Sequence, residues 1–411
     1  MRDIKSITLA INDQLAQPEE NISVVALLDL LVEYAYVIKA SDVHIHPEED
    51  GVRIRFRIDG LLRDVVEKEK ISKELHQELI SRIKVISGLR TDEHLAPQDG
   101  RFKGKIEGFG DVDVRVSIMP TYYGENSVMR VLAETQSFNL KDLGFLPPDL
   151  KRVEKAVKKP YGMILANGPT GSGKTTTLYT ILKQLNKTDA SIITIEDPIE
   201  YSLPGTTQIQ VNAQTGLTFA TGLRSILRQD PNIVMVGEIR DAETAGIAVN
   251  AALTGHLVLS TLHTNDSPTT FPRLIDMGVP PFLVASTINI AMGQRLVRKV
   301  CEKCKKERVL TASEVKSLGE LVPNMEKYGK IFYAGEGCDA CAGTGYAGRI
   351  GIREVLEISN EIRQLIMDRA SAQDIKEAAV KGGMTTMLED GIAKAAQGIT
   401  TVEEVLRIIH E

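Results

Sequence analysis

The chain has 411 residues, too many for one ordinary core, and its 43% hydrophobic and 25% charged residues are those of a soluble globular protein of two or three domains. A net charge of −6 leaves no basic excess with which to neutralise nucleic-acid phosphates. No apolar run is long enough to span a bilayer, and the N-terminus carries Asp3 and no hydrophobic signal core, so the cytoplasm is the expected compartment.

Residues 1–22 are polar and predict an N-terminal arm. From Ser23 to Lys39, Val24, Leu27, Leu28, Leu31, Ala35 and Ile38 fall on one helical face. Asp42–His46 and Val52–Ile58 alternate as half-buried strands, and Asp59-Gly60 before Leu61 is a hairpin signal. A second helix fits Ser72–Ser87, and further strands fit Gly100–Ile106, Asp111–Ile118 and Asn126–Leu132. Residues 23–134 therefore predict a small α+β domain, and 135–148, with Gly144 and Pro147-Pro148, a linker. Over 149–299 apolar runs at Met163–Ala166, Ile192–Ile195, Ile233–Val236 and Leu257–Ser260 alternate with helical segments, the pattern of an α/β domain with a buried parallel sheet. Residues 300–348 are rich in cysteine, lysine and glycine, and 349–411 read as short helices with turns at Gly382-Gly383 and Gly398.

Gly168-Pro169-Thr170-Gly171-Ser172-Gly173-Lys174-Thr175 is a complete G-x-x-x-x-G-K-T phosphate-binding loop, followed by Thr176 and a helical run. Strand, glycine loop and helix N-terminus together present backbone N–H groups to a phosphate. Lys174 can reach the β- and γ-phosphates and Thr175 can ligate Mg²⁺, so the chain is expected to bind and hydrolyse a nucleoside triphosphate. Three other apolar strands end in polar groups that a parallel sheet would turn toward the ligand crevice. Glu196 and Asp197 would orient a water or hold the metal through water, or form a solvated strand-end cluster. Gly237 stands at the usual Walker B aspartate position, and Glu238 supplies the carboxylate, with pairing to Arg240 as the alternative. His263 is placed to sense the γ-phosphate or polarise groups near it, while His256 reads as core or as a residue just behind the site. Arg224 and Arg228, four apart, predict one helix face, and Arg115 and Arg130 lie on strands of the first domain. Spacing alone leaves each arginine between phosphate binding and a surface ion pair.

All four cysteines lie in two C-x-x-C pairs, Cys301/Cys304 and Cys338/Cys341, which predict a tetrahedral Zn²⁺ site rather than disulfides or a redox pair.

Taken together these motifs resemble the secretion ATPase superfamily of type II secretion and type IV pilus assembly, over about residues 23–411. Gly168–Thr175 is similar to its Walker A, Ile195–Tyr201 to its aspartate box, Leu223–Pro231 with Gly237–Asp241 to its Walker B region, and Ser260–Asn265 to its histidine box. Ala40–Ile45 and Arg53–Gly60 match the domain before the motor, and the cysteine pairs with Gly343–Tyr346 match its zinc insertion. The resemblance implies an α/β, RecA-like P-loop motor with a preceding PAS-like α+β domain, a zinc-binding insertion and a helical C-terminal tail. It implies catalytic roles for Glu196, Glu238 and His263. It also implies that Arg115 and Arg130 reach the nucleotide from the first domain, and that Arg224 and Arg228 do so from the motor. A cytoplasmic homo-hexamer is expected at the inner membrane. It would hydrolyse ATP with Mg²⁺, hold Zn²⁺, and drive pilin or pseudopilin assembly through an inner-membrane platform protein, without nucleic acid. Retraction motors usually lack the cysteines, so an assembly or secretion motor is expected, rather than a nucleic-acid motor or a module that uses ATP as a clamp. Many members carry an additional N-terminal domain, expected here to be missing or reduced to residues 1–20. His46 stands where many members carry an acid, and no role is attached to it.

Overall fold

The computed structural model describes residues 3–64, 70–106, 110–132, 139–322 and 325–410. The chain divides into two compact units, Met1–Gln136 and Ser137–Glu411.

The first unit contains α1 (Ile4–Leu15), α2 (Val24–Val37), β1 (Asp42–Glu48), β2 (Gly51–Ile58), β3 (Leu61–Asp64), α3 (Lys73–Ile86), β4 (Gln98–Ile106), β5 (Gly110–Thr121) and β6 (Gly124–Leu132). Its strands form one antiparallel sheet in the order β3-β2-β1-β6-β5-β4. Period-two alternation sends Val43, Ile45, Ile54, Phe56, Val114 and Met129 into a core shared with the helices. The opposite face carries the charges. Register places Arg57, Asp42, Arg130, Arg115 and Arg101 in a single row across five strands. Asp59 (φ 48°) and Gly60 (φ 91°) make the β2–β3 turn through two left-handed residues, as a tight hairpin needs.

The arm expected over 1–22 is folded over much of its length. Ile7, Ile11 and Leu15 are four apart, form one stripe of α1 and are buried in the first core, while the Asp3 carboxylate caps the helix at Ser6 N. Of the linker expected over 135–148, residues 135–138 lie outside the described residues. The remainder belongs to the second unit's core, because Leu140, Leu143 and Phe145 are buried there and a helix starts at Pro147.

The second unit begins with α4 (Pro147–Val157), β7 (Gly162–Asn167), α5 (Lys174–Leu185), β8 (Ile192–Glu196), β9 (Thr207–Gln210), α6 (Phe219–Ile226), β10 (Ile233–Val236), α7 (Ala242–Leu253), β11 (Leu257–Leu262), α8 (Thr270–Asp276), α9 (Pro281–Thr287) and β12 (Ile288–Val300). It continues with β13 (Lys305–Val309), α10 (Ala312–Leu321), β14 (Ile331–Gly335), β15 (Tyr346–Glu357), α11 (Asn360–Met367), α12 (Ala372–Lys381), α13 (Met387–Ala396) and α14 (Val402–His410). The main sheet runs β15-β12-β7-β11-β10-β8-β9, parallel throughout except for the antiparallel edge strand β15. Apolar cores lie on both faces, one built with α4 and α5, the other with α6, α7, α9, α11 and α12. A separate ribbon, β13–β14, packs with α10, α13 and α14 around Phe332, Val322 and Ile392. The helical region expected from residue 349 starts instead in β15, because Ile350, Val355 and Leu356 pair with Val297, Met292 and Ala291 of β12. Helices follow from Asn360.

Candidate functional site

All six residues of β7 are buried, and the chain leaves the strand at Gly168 with φ 142°. A side chain at 168 would meet the Gln294 carbonyl at 2.4 Å, so only glycine fits between β7 and β12. Gly171 (φ 80°) and Gly173 (φ 85°) then wind the loop into α5. Pro169 and Thr170 are exposed, Ser172 is buried, and Thr175 and Thr176 are half-buried on the first turn of α5. Lys174 Nζ donates to the carbonyls of Gly168 at 2.7 Å and Pro169 at 2.9 Å, which sets the ammonium across the loop. Burial lowers its pKa, and the charge of Glu238 opposes that shift.

Glu238 lies two residues past the end of β10, and His263 directly follows the neighbouring strand β11. Gly237 N donates to Ile195 O at 2.8 Å, and a Cβ at 237 would stand 3.3 Å from that carbonyl. The Glu238 carboxylate receives Arg240 Nη2 at 2.6 Å and lies 3.0 Å from His263 Nε2. The Asp197 carboxylate is 4.0 Å from Arg240 Nη1. Glu238, His263 and Arg240 thus converge. Thr261 Oγ1 donates to Gly237 O at 2.8 Å and Ser260 Oγ to Val236 O at 2.7 Å, locking the two strand ends together.

Glu196 has a different setting from the crevice-facing acid expected. It is buried, and it accepts from Tyr179 Oη, from Thr194 Oγ1 at 2.6 Å and from Gln208 Nε2 at 3.2 Å. Burial and this carboxylate together push the Tyr179 phenol up. The reason is the side strand β9, whose Gln208 closes over the end of β8. Arg224 and Arg228 do not share a helix face, because α6 ends at Ile226. Arg224 pairs with Glu243 at 2.5 Å, and Arg228 folds back to donate to Arg224 O at 2.9 Å. His256 is half-buried with Nδ1 3.0 Å from Ala251 O, and His46 Nδ1 is 3.3 Å from Asn126 Oδ1. Arg115 and Arg130 lie side by side on β5 and β6 of the first unit, with Arg130 paired to Asp42.

Two residues escaped the sequence reading. Gln294 on β12 is fully buried, donates to Ser172 O at 2.8 Å and accepts from Thr177 Oγ1 at 2.9 Å. Glu354 on β15 is buried and accepts from Ser267 N at 2.7 Å and Ser267 Oγ at 3.0 Å. The signal was a polar side chain inside an apolar strand, which periodicity alone treats as noise.

The four cysteine sulfurs lie within 4.8 Å of one another. Cys301–Cys338, Cys304–Cys341 and Cys338–Cys341 are 3.9, 3.8 and 3.7 Å apart. A tetrahedron with metal–sulfur bonds of about 2.3 Å has edges of about 3.8 Å, so the set fits zinc. Burial works against ionising Cys341, but the N–H groups of Cys338 and Gly345 that point at its sulfur bring its pKa down to about 6. Held zinc would tie the start of β13 to the start of β15.

No helix among the described residues is long and apolar enough to cross a membrane. The family described as Type II/IV secretion system protein matches residues 17–407. A Type IV pilus assembly ATPase PilB of Thermus thermophilus is 48% identical over 377 residues, covering 92% of this chain and 42% of that protein. A Type II secretion system protein E of Xanthomonas campestris is 47% identical over 389 residues, covering 94% of this chain and 68% of that protein. The chain therefore spans under half of the pilus relative's length. In fold it is similar to the Legionella pneumophila ATPase DotB, with a TM-score of 0.70 at 22% identity, covering 96% of this chain and 98% of that one.

Proposed function

Because the chain belongs to the Type II/IV secretion system protein family, we propose that it is a cytoplasmic motor that hydrolyses ATP to drive type IV pilus assembly. The observation that carries this reading is the complete phosphate-binding loop Gly168–Thr175 opening α5, together with Glu238 and His263 held 3.0 Å apart at neighbouring strand ends. Lys174 would leave the loop carbonyls for the β- and γ-phosphates. Glu238 would accept a hydrogen bond from the attacking water, and His263, 3.0 Å from that carboxylate, would orient it. Thr175 would hold Mg²⁺, whose charge offsets that of the phosphates. Glu196, enclosed by Tyr179 and Gln208, would act on the water only after that network opens. Arg115 and Arg130 would complete the charge from the first unit, read as the PAS-like domain, and Arg224 and Arg228 from the motor. In this reading the chain works as a homo-hexamer at the inner membrane, peripheral to it, turning a platform protein and binding no nucleic acid.

A second reading, the motor of a type II secretion system building a pseudopilus, is favoured by the 47% identical relative that carries that name. The test is steady-state ATP turnover, followed by complementation of a pilus-deficient and a secretion-deficient strain. Lys174→Ala should abolish turnover with the fold intact, since it removes charge from a loop and nothing from a core. Turnover near that of the unaltered protein would overturn the phosphate-loop assignment.

A further inference from the structure

One row across four strands ties the two nucleotide loops to the sheet edge. Leu262 of β11 pairs with Asn167 of β7, Asn167 with Gly293 of β12, and Gly293 with Glu354 of β15. Paired residues share a sheet face. Asn167 and Glu354 therefore stand on one face, with a glycine between them. Asn167 Nδ2 donates to Thr270 Oγ1, and Glu354 Oε1 accepts from both the N–H and the hydroxyl of Ser267. Both contacts grip the segment 263–270, which leads away from His263. Gly293 is required there. A Cβ would stand 2.9 Å from Glu354 Cγ and 3.0 Å from Ser267 N, blocking the reach. Asp266 stiffens the same segment by accepting from Thr269 N at 3.0 Å.

The next residue, Gln294, points to the other face by the pleat. There its amide bridges Ser172 O in the phosphate loop and Thr177 Oγ1 in the first turn of α5. Its main-chain carbonyl forms the floor beneath Gly168. Gln294 thus holds the loop at its middle and at its exit into the helix.

We propose that Gln294 and Glu354 are positioning residues for ATP hydrolysis, Gln294 setting the phosphate loop for nucleotide binding and Glu354 setting the His263 segment for turnover. This rests on the reading of the site as an ATPase. The two act on different loops from opposite faces, so their kinetic effects should separate. A buried glutamine removed from the phosphate loop lets N–H groups that cradle the ground state drift, which appears in KM. A carboxylate removed from Ser267 lets His263 move relative to Glu238, which appears in kcat. Burial pushes the Glu354 carboxyl up, and a neutral glutamine of the same shape keeps the acceptor toward Ser267.

The experiment is ATP turnover and nucleotide-binding titration on the full chain and on Gln294→Met, Glu354→Met and Glu354→Gln. Gln294→Met should raise KM about tenfold with kcat within about twofold, and Glu354→Met should lower kcat about tenfold with KM held, as expected for lost buried hydrogen bonds. Glu354→Gln should restore kcat to within about twofold. Equal shifts of KM and kcat in both methionine variants, or kinetics unchanged while the melting temperature falls, would overturn the proposal. If the methionine variants do not fold, Ser267→Ala, which removes a donor to Glu354 and must lower kcat with KM held, serves for Glu354, and Gln294→Glu serves for Gln294. It keeps the acceptor for Thr177 and sets a carboxylate oxygen against Ser172 O, so KM must still rise alone. An unaltered chain that hydrolyses no ATP defeats the ATPase reading itself, a result distinct from hydrolysis that the variants leave unmoved.

Discussion

Arg130 Nε donates to Asp42 Oδ1 at 2.9 Å, across the pairing of β1 and β6. Asp42 is buried and also receives Ser41 Oγ at 2.8 Å, with Arg57 Nε 3.7 Å away, so the carboxylate is a fixed post. It holds the arginine by Nε, and the Arg130 side chain is still 57% exposed. Under the proposed function, this exposed guanidinium is the group that acts on a phosphate.

Arg130→Ala is expected to lower ATP turnover by about 10³-fold with a modest loss of nucleotide affinity, the size typical of an arginine acting on the transferred phosphoryl group. Arg115→Ala should act in the same direction and less severely, and lysine should rescue poorly because it lacks the planar fork. Turnover per folded protein that is unchanged while the melting temperature drops would reduce the Arg130–Asp42 pair to a structural contact.

Glu238→Gln should bind ATP and hydrolyse it very slowly, by about 10²-fold or more, since the amide keeps the shape and loses the base. The same change removes a charge beside Lys174 and one partner of Arg240. Nucleotide titration separates the outcomes. Loss of binding would make Glu238 a binding or folding residue.

Protein prepared without chelators should contain about one zinc per chain, bound by four thiolates. Cys338→Ser should lose the metal and loosen the ribbon β13–β14, visible as faster amide exchange there, with basal turnover affected less than assembly. Metal-free protein with the same exchange pattern would remove zinc from the account of this insertion.

Glu404 on α14 is clamped by two arginines. It accepts from Arg298 Nε at 3.0 Å and Nη2 at 2.6 Å, and from Arg407 Nε at 3.0 Å and Nη2 at 2.8 Å. Burial pushes its carboxyl up, but the bonds from Arg298 and Arg407 outweigh that and hold the pKa at about 2, against an ordinary 4.5. A depressed carboxyl contributes stability that is full above pH 4.5 and is lost as the pH falls through about 2. Glu404→Gln should therefore cost on the order of 2 kcal/mol at pH 7, the figure reduced for solvent reaching Arg407. The difference from the unaltered protein should shrink at pH 3. Urea melts at the two pH values decide it, and a difference independent of pH would show that the clamp is not ionic.

The sequence by itself determined the strands and helices of strong periodicity and the local chemistry, but not α1, whose stripe sits in a polar stretch, nor β15, where helices were expected. The G-x-x-x-x-G-K-T run needs no tertiary help to be read, because its spacing is set by backbone wrapping a phosphate. The alternation of β1, β2, β5 and β6 and the two C-x-x-C pairs are local patterns too, and the four thiols do come together. The tertiary structure decided what depends on which strand lies beside which. That Glu238 meets His263 follows from β10 lying next to β11, a neighbour relation across 25 residues. That Glu196 is enclosed follows from β9 pairing beside β8 and bringing Gln208 over it. Gln294 and Glu354 looked like interruptions in apolar strands until β12 and β15 placed them on opposite faces against two loops. A hydrogen bond across a sheet joins residues far apart in the chain, and periodicity carries no record of which distant strand supplies the partner.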